Sequence, residues 1–257
     1  MRTWLMLACL AVPLGAEGAR AGKVIEGELA PVRKKDEPLV YATYAPAGHK
    51  GDKPVPLIIA VHAGRGTAKH FVGFLRSVAE ANGAILAGPQ GFREVIGADG
   101  YWWKGDTGDL LAIDRLIAHM KKHNKIDANK VTLIGLADGA ELALKWAFAK
   151  RKRKLHGLIA VNFLWKGISP HRTKGLKVCL FASNDAKEKK ASLRAHAEKG
   201  HKALERVKIP TVLRIMPGSS RSFFHRWDSE FRKAFQWFDG TLDWPKALAD
   251  AEKPKDG

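Results

Sequence analysis

The chain has 257 residues, 46% of them apolar and 9% aromatic, which suits one domain around a single sizeable core and excludes a disordered chain. Lys and Arg number 44 against 26 Asp and Glu, a net charge of +18 that draws acidic partners but says nothing of fold. The basic residues fall in short groups, Lys121-Lys122, Lys150 to Lys154 and Lys187 to Lys190, with no nucleic-acid module and no interleaved aromatics. Nucleic acid is therefore not the expected partner, and anionic cell-surface polymers or a solvated basic face remain.

Met1 and Arg2 precede an apolar run from Trp4 to Leu14, and small residues then lead to Ala19-Arg20-Ala21. That order predicts a secretory signal peptide over residues 1–21 and a secreted or periplasmic protein. A lipoprotein reading of Met6-Leu7-Ala8-Cys9 fits poorly, because few apolar residues precede it. Cleavage removes Cys9 and leaves Cys179, so no intramolecular disulfide is expected and Cys179 reads as a small buried hydrophobe. No apolar run of about 18 residues follows, so no membrane span is expected.

Val24 to Leu29 and Leu39 to Tyr44 read as two short strands forming an antiparallel edge. From Leu57 onward apolar runs alternate with amphipathic stretches. Strands are expected at Leu57 to Val61, Ala84 to Ala87, Val131 to Ile134, Leu155 to Val161, Val178 to Phe181 and Thr211 to Met216. Helices are expected at Lys69 to Asn82, Asp109 to Asn124, Gly139 to Lys150, Lys187 to Arg206 and Asp228 to Phe238. Strands apolar throughout and alternating with helices predict a single α/β domain with a mostly parallel sheet covered on both faces. Its expected span is 22–246, with 247–257 as a flexible tail. Leu110, Ile113, Ile117 and Met120 supply a core-facing stripe, and Trp227, Phe231, Phe235 and Phe238 another.

Between Val131 and Leu144 an apolar strand runs through Gly135-Leu136-Ala137-Asp138-Gly139 into a helix. A strand-to-helix turn with small residues two before and two after its centre is the geometry of a nucleophile elbow. Gly135 and Gly139 put Ala137 at the tip, whereas centring on Asp138 would place the bulky Leu136 at a flanking position.

Four segments in order resemble the α/β-hydrolase family, in particular secreted esterases such as polyhydroxybutyrate depolymerases, feruloyl esterases and the phospholipase/carboxylesterase group. Pro56 to Gly66 resembles the strand and His-Gly oxyanion loop, with Ala63 in place of a glycine, and Ala87 to Gly91 resembles the next strand and turn. Ile126 to Val131 resembles the lead-in to the elbow, and Val178 to Asp185 the strand and loop that deliver the triad acid. The resemblance covers residues 55–240 and implies an α/β-hydrolase fold with an esterase-like site.

It implies a degenerate one. The family carries serine at the elbow tip, and this chain has Ala137, whose methyl group cannot attack an acyl carbon. Asp185 stands at the triad-acid position. In Met216 to Arg221 the triad-histidine position holds Arg221, which stays protonated and cannot act as a general base near neutral pH. His225 is the alternative histidine. The Asp138 N–H and one from Ala63-Gly64 would remain as oxyanion-hole donors, so the old pocket is expected to bind a small ester, carboxylate or glycan-like ligand without cleaving it. Asp138 opposes anions there unless it turns outward or pairs with Arg65 or Arg221. Tyr101-Trp102-Trp103 offers a stacking wall for such a ligand or a cap on the sheet, and His62 is expected to orient the oxyanion loop.

Two rivals stand beside this pseudoenzyme reading. One is an active ester hydrolase with a displaced nucleophile among Ser183, Ser219, Ser220 and Ser222; the other is a serine hydrolase carrying an engineered serine-to-alanine change. No cofactor motif is present, and His70 and His119 have no partners at metal-ligand spacing.

Overall fold

Successive side chains of a strand point to opposite faces, so a run that is apolar at every position needs cover on both sides. The computed structural model describes residues 19–31, 37–96, 100–149, 153–184, 193–217 and 227–251, and it meets that need with three layers. In chain order the elements are β1 (Ile25–Leu29), β2 (Leu39–Tyr44), β3 (Val55–Val61), α1 (Ala68–Phe74), α2 (Arg76–Ala81), β4 (Ile85–Pro89), β5 (Arg93–Glu94) and β6 (Tyr101–Trp102). They continue with α3 (Thr107–His123), β7 (Ile126–Leu136), α4 (Asp138–Ala147), β8 (Gly157–Val161), β9 (Lys177–Asn184), α5 (Leu193–Arg206), β10 (Thr211–Pro217), α6 (Trp227–Phe238) and α7 (Trp244–Ala251).

An eight-stranded sheet runs β1-β2-β4-β3-β7-β8-β9-β10. β1, β2 and β4 pair antiparallel at one edge, and from β4 to β10 every pairing is parallel. Leu57, Ile59 and Val61 of β3 with Leu158 and Ala160 of β8 enter a core layer shared with α3, α4 and α5. Their neighbours Ile58, Ala60, Ile159 and Val161 enter the opposite layer, with α1, α2, α6 and α7. Each fully buried aliphatic side chain contributes about 1.5–3 kcal/mol of transfer free energy, and Cys179 joins them at 0% exposure.

Several expectations are corrected. The helix expected at Lys69 to Asn82 is two: Leu75 leaves helical geometry at φ −88°, ψ 10° and is buried, while Phe74 beside it is exposed. The break lets each short helix lay its own face on the sheet. The buried stripe of α3 runs through Ala112, Ile113, Leu116 and Met120, leaving Leu110 and Ile117 at its margins. Residues 247–251 belong to α7 rather than to a tail, because Leu248 packs on the core beside the buried Trp244. On α6, Phe231, Phe235 and Phe238 are buried; the Trp227 side chain and residues 1–18 lie outside what is described. No helix among the described residues is long and apolar enough to cross a membrane.

Candidate functional site

The site begins with a backbone constraint. Ala137 sits between β7 and α4 at φ 50°, ψ −118°, a conformation that strains any residue with a Cβ. A side chain on Gly135 would lie 2.5 Å from the Ala140 Cα, and one on Gly139 would collide with the carbonyl oxygens of Val61 and His62. The two glycines thus let α4 fold back over β7 and bring its first turn against the end of β3. The Ala137 N–H donates to Val161 O at 2.9 Å, tying the tip to β8. As the first helical residue, Asp138 has a backbone N–H with no intrahelical acceptor, and its helix end carries positive partial charge.

The loop after β3 faces this turn. His62, 1% exposed, places Nδ1 2.7 Å from Ala63 O, and its Nε2 accepts from the Gly91 N–H at 3.1 Å and lies 3.2 Å from Gln90 Nε2. Gln90 Oε1 in turn accepts the Ala68 N–H at 2.9 Å. Burial holds the imidazole pKa down to about 4, so it is neutral with its proton on Nδ1, which holds Ala63 O in place. Trp103 donates from Nε1 to His62 O at 2.7 Å and packs on the imidazole with centroids 4.6 Å apart.

The β5–β6 hairpin is laced to the same loop, the Arg65 N–H donating to Tyr101 O and the Tyr101 N–H to Gly66 O, both at 3.0 Å. Trp102 lies so close over Gly64 that any side chain there would strike its ring. Of the aromatic triplet, Trp103 is a structural brace. Trp102 and Trp103 also border a cavity of about 360 Å³ with Arg93 and Glu94, within the size range of small-ligand sites.

Asp138 points inward: its carboxylate accepts the Gly64 N–H, and burial raises its pKa against that bond. The Gly64 N–H, expected from the sequence as an oxyanion donor, is therefore engaged by the chain's own carboxylate. Glu141, one turn on, is raised above its ordinary value by burial, with the Asp138 charge adding to the effect, and it accepts the Leu164 N–H at 3.2 Å.

The structure brings together Ala63, Gly64, Ala137, Asp138 and Trp102. Asp185, Arg221 and His225 lie outside the described residues, as do Ser219, Ser220 and Ser222. The strand ends from which their segments continue are neighbours, Pro217 pairing with Asn184. Ser183 is 3% exposed inside β9, its Oγ without a partner among the described residues. Sequence reasoning missed Gln90, Glu141 and Asn162. Asn162 takes φ 51° at the end of β8, and its Oδ1 accepts the Ser183 N–H at 2.7 Å; an asparagine just after an apolar strand is the one signal that could have flagged it. Among the described residues no cluster of His, Cys, Asp or Glu is arranged to hold a metal.

No protein-family model and no curated protein sequence matches the chain. Solved structures do. A ferulic acid esterase superposes with a TM-score of 0.64 at 12% identity, over 84% of this chain and 97% of that one. The poly(3-hydroxybutyrate) depolymerase LpqC from Bordetella parapertussis gives 0.58 at 17% identity, over 85% and 89%. An S-formylglutathione hydrolase from Agrobacterium tumefaciens gives 0.63 at 13% identity, over 84% and 94%. At such identities the likeness speaks for architecture alone, and with the sheet order and the elbow it gives the conclusion that this chain has the α/β-hydrolase fold, in a single α/β domain.

Proposed function

We propose that the protein is a secreted, esterase-like pseudoenzyme that binds a small ester or glycan-like ligand at the old catalytic pocket without hydrolysing it. The observation that carries this reading is the elbow: its tip bears the methyl group of Ala137, and the next residue closes a carboxylate over the Gly64 N–H. A methyl group supplies no nucleophile, and a donor already bonded to a carboxylate is not free for a developing oxyanion. A free carboxylate or phosphate ligand would face the Asp138 charge, so an uncharged ester or sugar fits this pocket better. The esterase and depolymerase names of the structural neighbours support the ester class. The N-terminal run from Trp4 to Leu14 followed by Ala19-Arg20-Ala21 supports secretion.

Hydrolysis of p-nitrophenyl acetate tests the reading, with the parent protein beside Ala137→Ser and Ala137→Ser/Arg221→His variants. The parent is expected to be silent and the double variant to gain turnover. Parent turnover that vanishes on replacing one of Ser183, Ser219, Ser220 or Ser222 would instead establish an active hydrolase with a displaced nucleophile.

A further inference from the structure

A parallel sheet puts the amino ends of its strands on one edge and the elbow on the other. β3, β7, β8, β9 and β10 are each entered through a lysine, respectively Lys53, Lys125, Lys154, Lys177 and Lys208. Five basic residues thus stand at the edge remote from Ala137. At that edge, before β8 and β9, a cavity of about 740 Å³ is lined by Arg153, Lys154, His156, His171, Arg172 and Lys174, with no carboxylate among the described residues that line it. A second hollow of about 610 Å³, before β7, presents Lys121, Lys122 and Lys125.

The larger cavity has a rigid floor and a free rim. Arg153 donates to both oxygens of Asp114, at 3.2 and 2.9 Å, and to Trp146 O at 2.8 Å, and its guanidinium lies 4.3 Å from the Trp146 ring centroid. His156 pairs with Asp239 at 3.1 Å. Lys154, Arg172 and Lys174 are exposed and form no salt bridge with any described residue. An excess of cations around a cavity with no lining carboxylate focuses the field onto an anion. A phosphate monoester carries close to two charges where a carboxylate or a sulfate ester carries one, and the three rim cations exceed what one such group neutralises, so adjoining phosphate groups answer this charge density most fully. Arg172 adds a planar fork suited to phosphate oxygens.

We infer that the cavity lined by Arg153, Lys154, His156, His171, Arg172 and Lys174 is a binding site for a soluble ligand bearing two or more closely spaced phosphate groups. The inference stands apart from the reading of the elbow. Its structural rival is that basic residues at this edge only offset the carbonyl ends of the helices that finish there.

Calorimetric titration of the intact protein with inorganic tripolyphosphate tests it. Lys154→Glu/Arg172→Glu/Lys174→Glu is expected to weaken binding by about tenfold or more, and the milder triple change to Gln by less. Lys166→Glu/Lys199→Glu/Lys202→Glu, an equal change in net charge elsewhere, is expected to stay within about twofold, with orthophosphate binding far more weakly than tripolyphosphate. Absence of tripolyphosphate binding to the folded parent overturns the site. So do equal losses in the two Glu triples, or a loss of thermal stability without a loss of binding. Equal affinity for polyglutamate would overturn the phosphate assignment, and tighter binding of a DNA duplex that also fails to respond to the triple would make the partner a nucleic acid.

Discussion

The Asp138 carboxylate accepts the backbone N–H of Gly64, across the gap between the first turn of α4 and the loop after β3. On the proposed reading of the pocket, a restored nucleophile at the neighbouring position would therefore act beside an oxyanion donor already engaged. Adding Asp138→Ala to the Ala137→Ser/Arg221→His variant should raise its p-nitrophenyl acetate turnover, by up to about 10²-fold if one full donor is released. Unchanged turnover on adding Asp138→Ala would show that Gly64 contributes no donor.

His62 titrates far below its ordinary value because it is buried. A base with a depressed folded pKa favours the native state above its unfolded value and loses that contribution as pH falls. Stability should therefore drop between about pH 6.5 and about pH 4, by at most about 3 kcal/mol from this residue. Urea unfolding across that window should show a shallower slope in His62→Asn, alongside a lower overall stability from the lost bonds to Ala63 and Gly91.

Asp138 and Glu141 work in the opposite direction. Burial raises both above their ordinary 3.8 and 4.5, so the native state holds its protons longer than the unfolded chain. Their contribution is complete at acid pH and is lost as pH rises through the raised values. In a His62→Asn background, where the competing slope is gone, Asp138→Asn/Glu141→Gln should flatten the remaining decline; a decline of the same steepness would place its origin elsewhere.

The elbow backbone predicts an ordered series of stabilities. Gly139→Ala drives a methyl group into two backbone carbonyls and should cost about 2 kcal/mol or more. Ala137→Gly relieves a positive-φ strain and should stabilise by about 1 kcal/mol. Gly73→Ala, in α1 with nothing near its missing Cβ, should gain about 0.5–1 kcal/mol. Thermal melts of the three would fail this account if Gly139→Ala were neutral.

The elbow was legible because its demand is local: two small residues at fixed spacing around a strained centre, which Gly135, Ala137 and Gly139 satisfy within five positions. The parallel sheet was legible for a similar reason, since β3, β4, β8 and most of β9 are apolar on both faces. The direction of Asp138 was not, because it is decided by a donor on a loop 74 positions earlier in the chain. Nor was the β5–β6 hairpin, whose strands have two residues each and are held by backbone bonds to Arg65 and Gly66 that leave no trace in side-chain pattern. The break at Leu75 escaped because the sequence there is apolar enough for one continuous helix, and only packing decides where it bends.

The lysines at the strand entries also give the molecule a heading. Lys53, Lys125 and Lys154 lie at the amino ends of their strands, whereas Asp138 and Glu141 lie past the carboxyl end of β7, so these opposite charges stand at opposite ends of the parallel strands. A soluble anion held at the strand entries is thereby kept a full strand's length away from the two carboxylates beside the elbow.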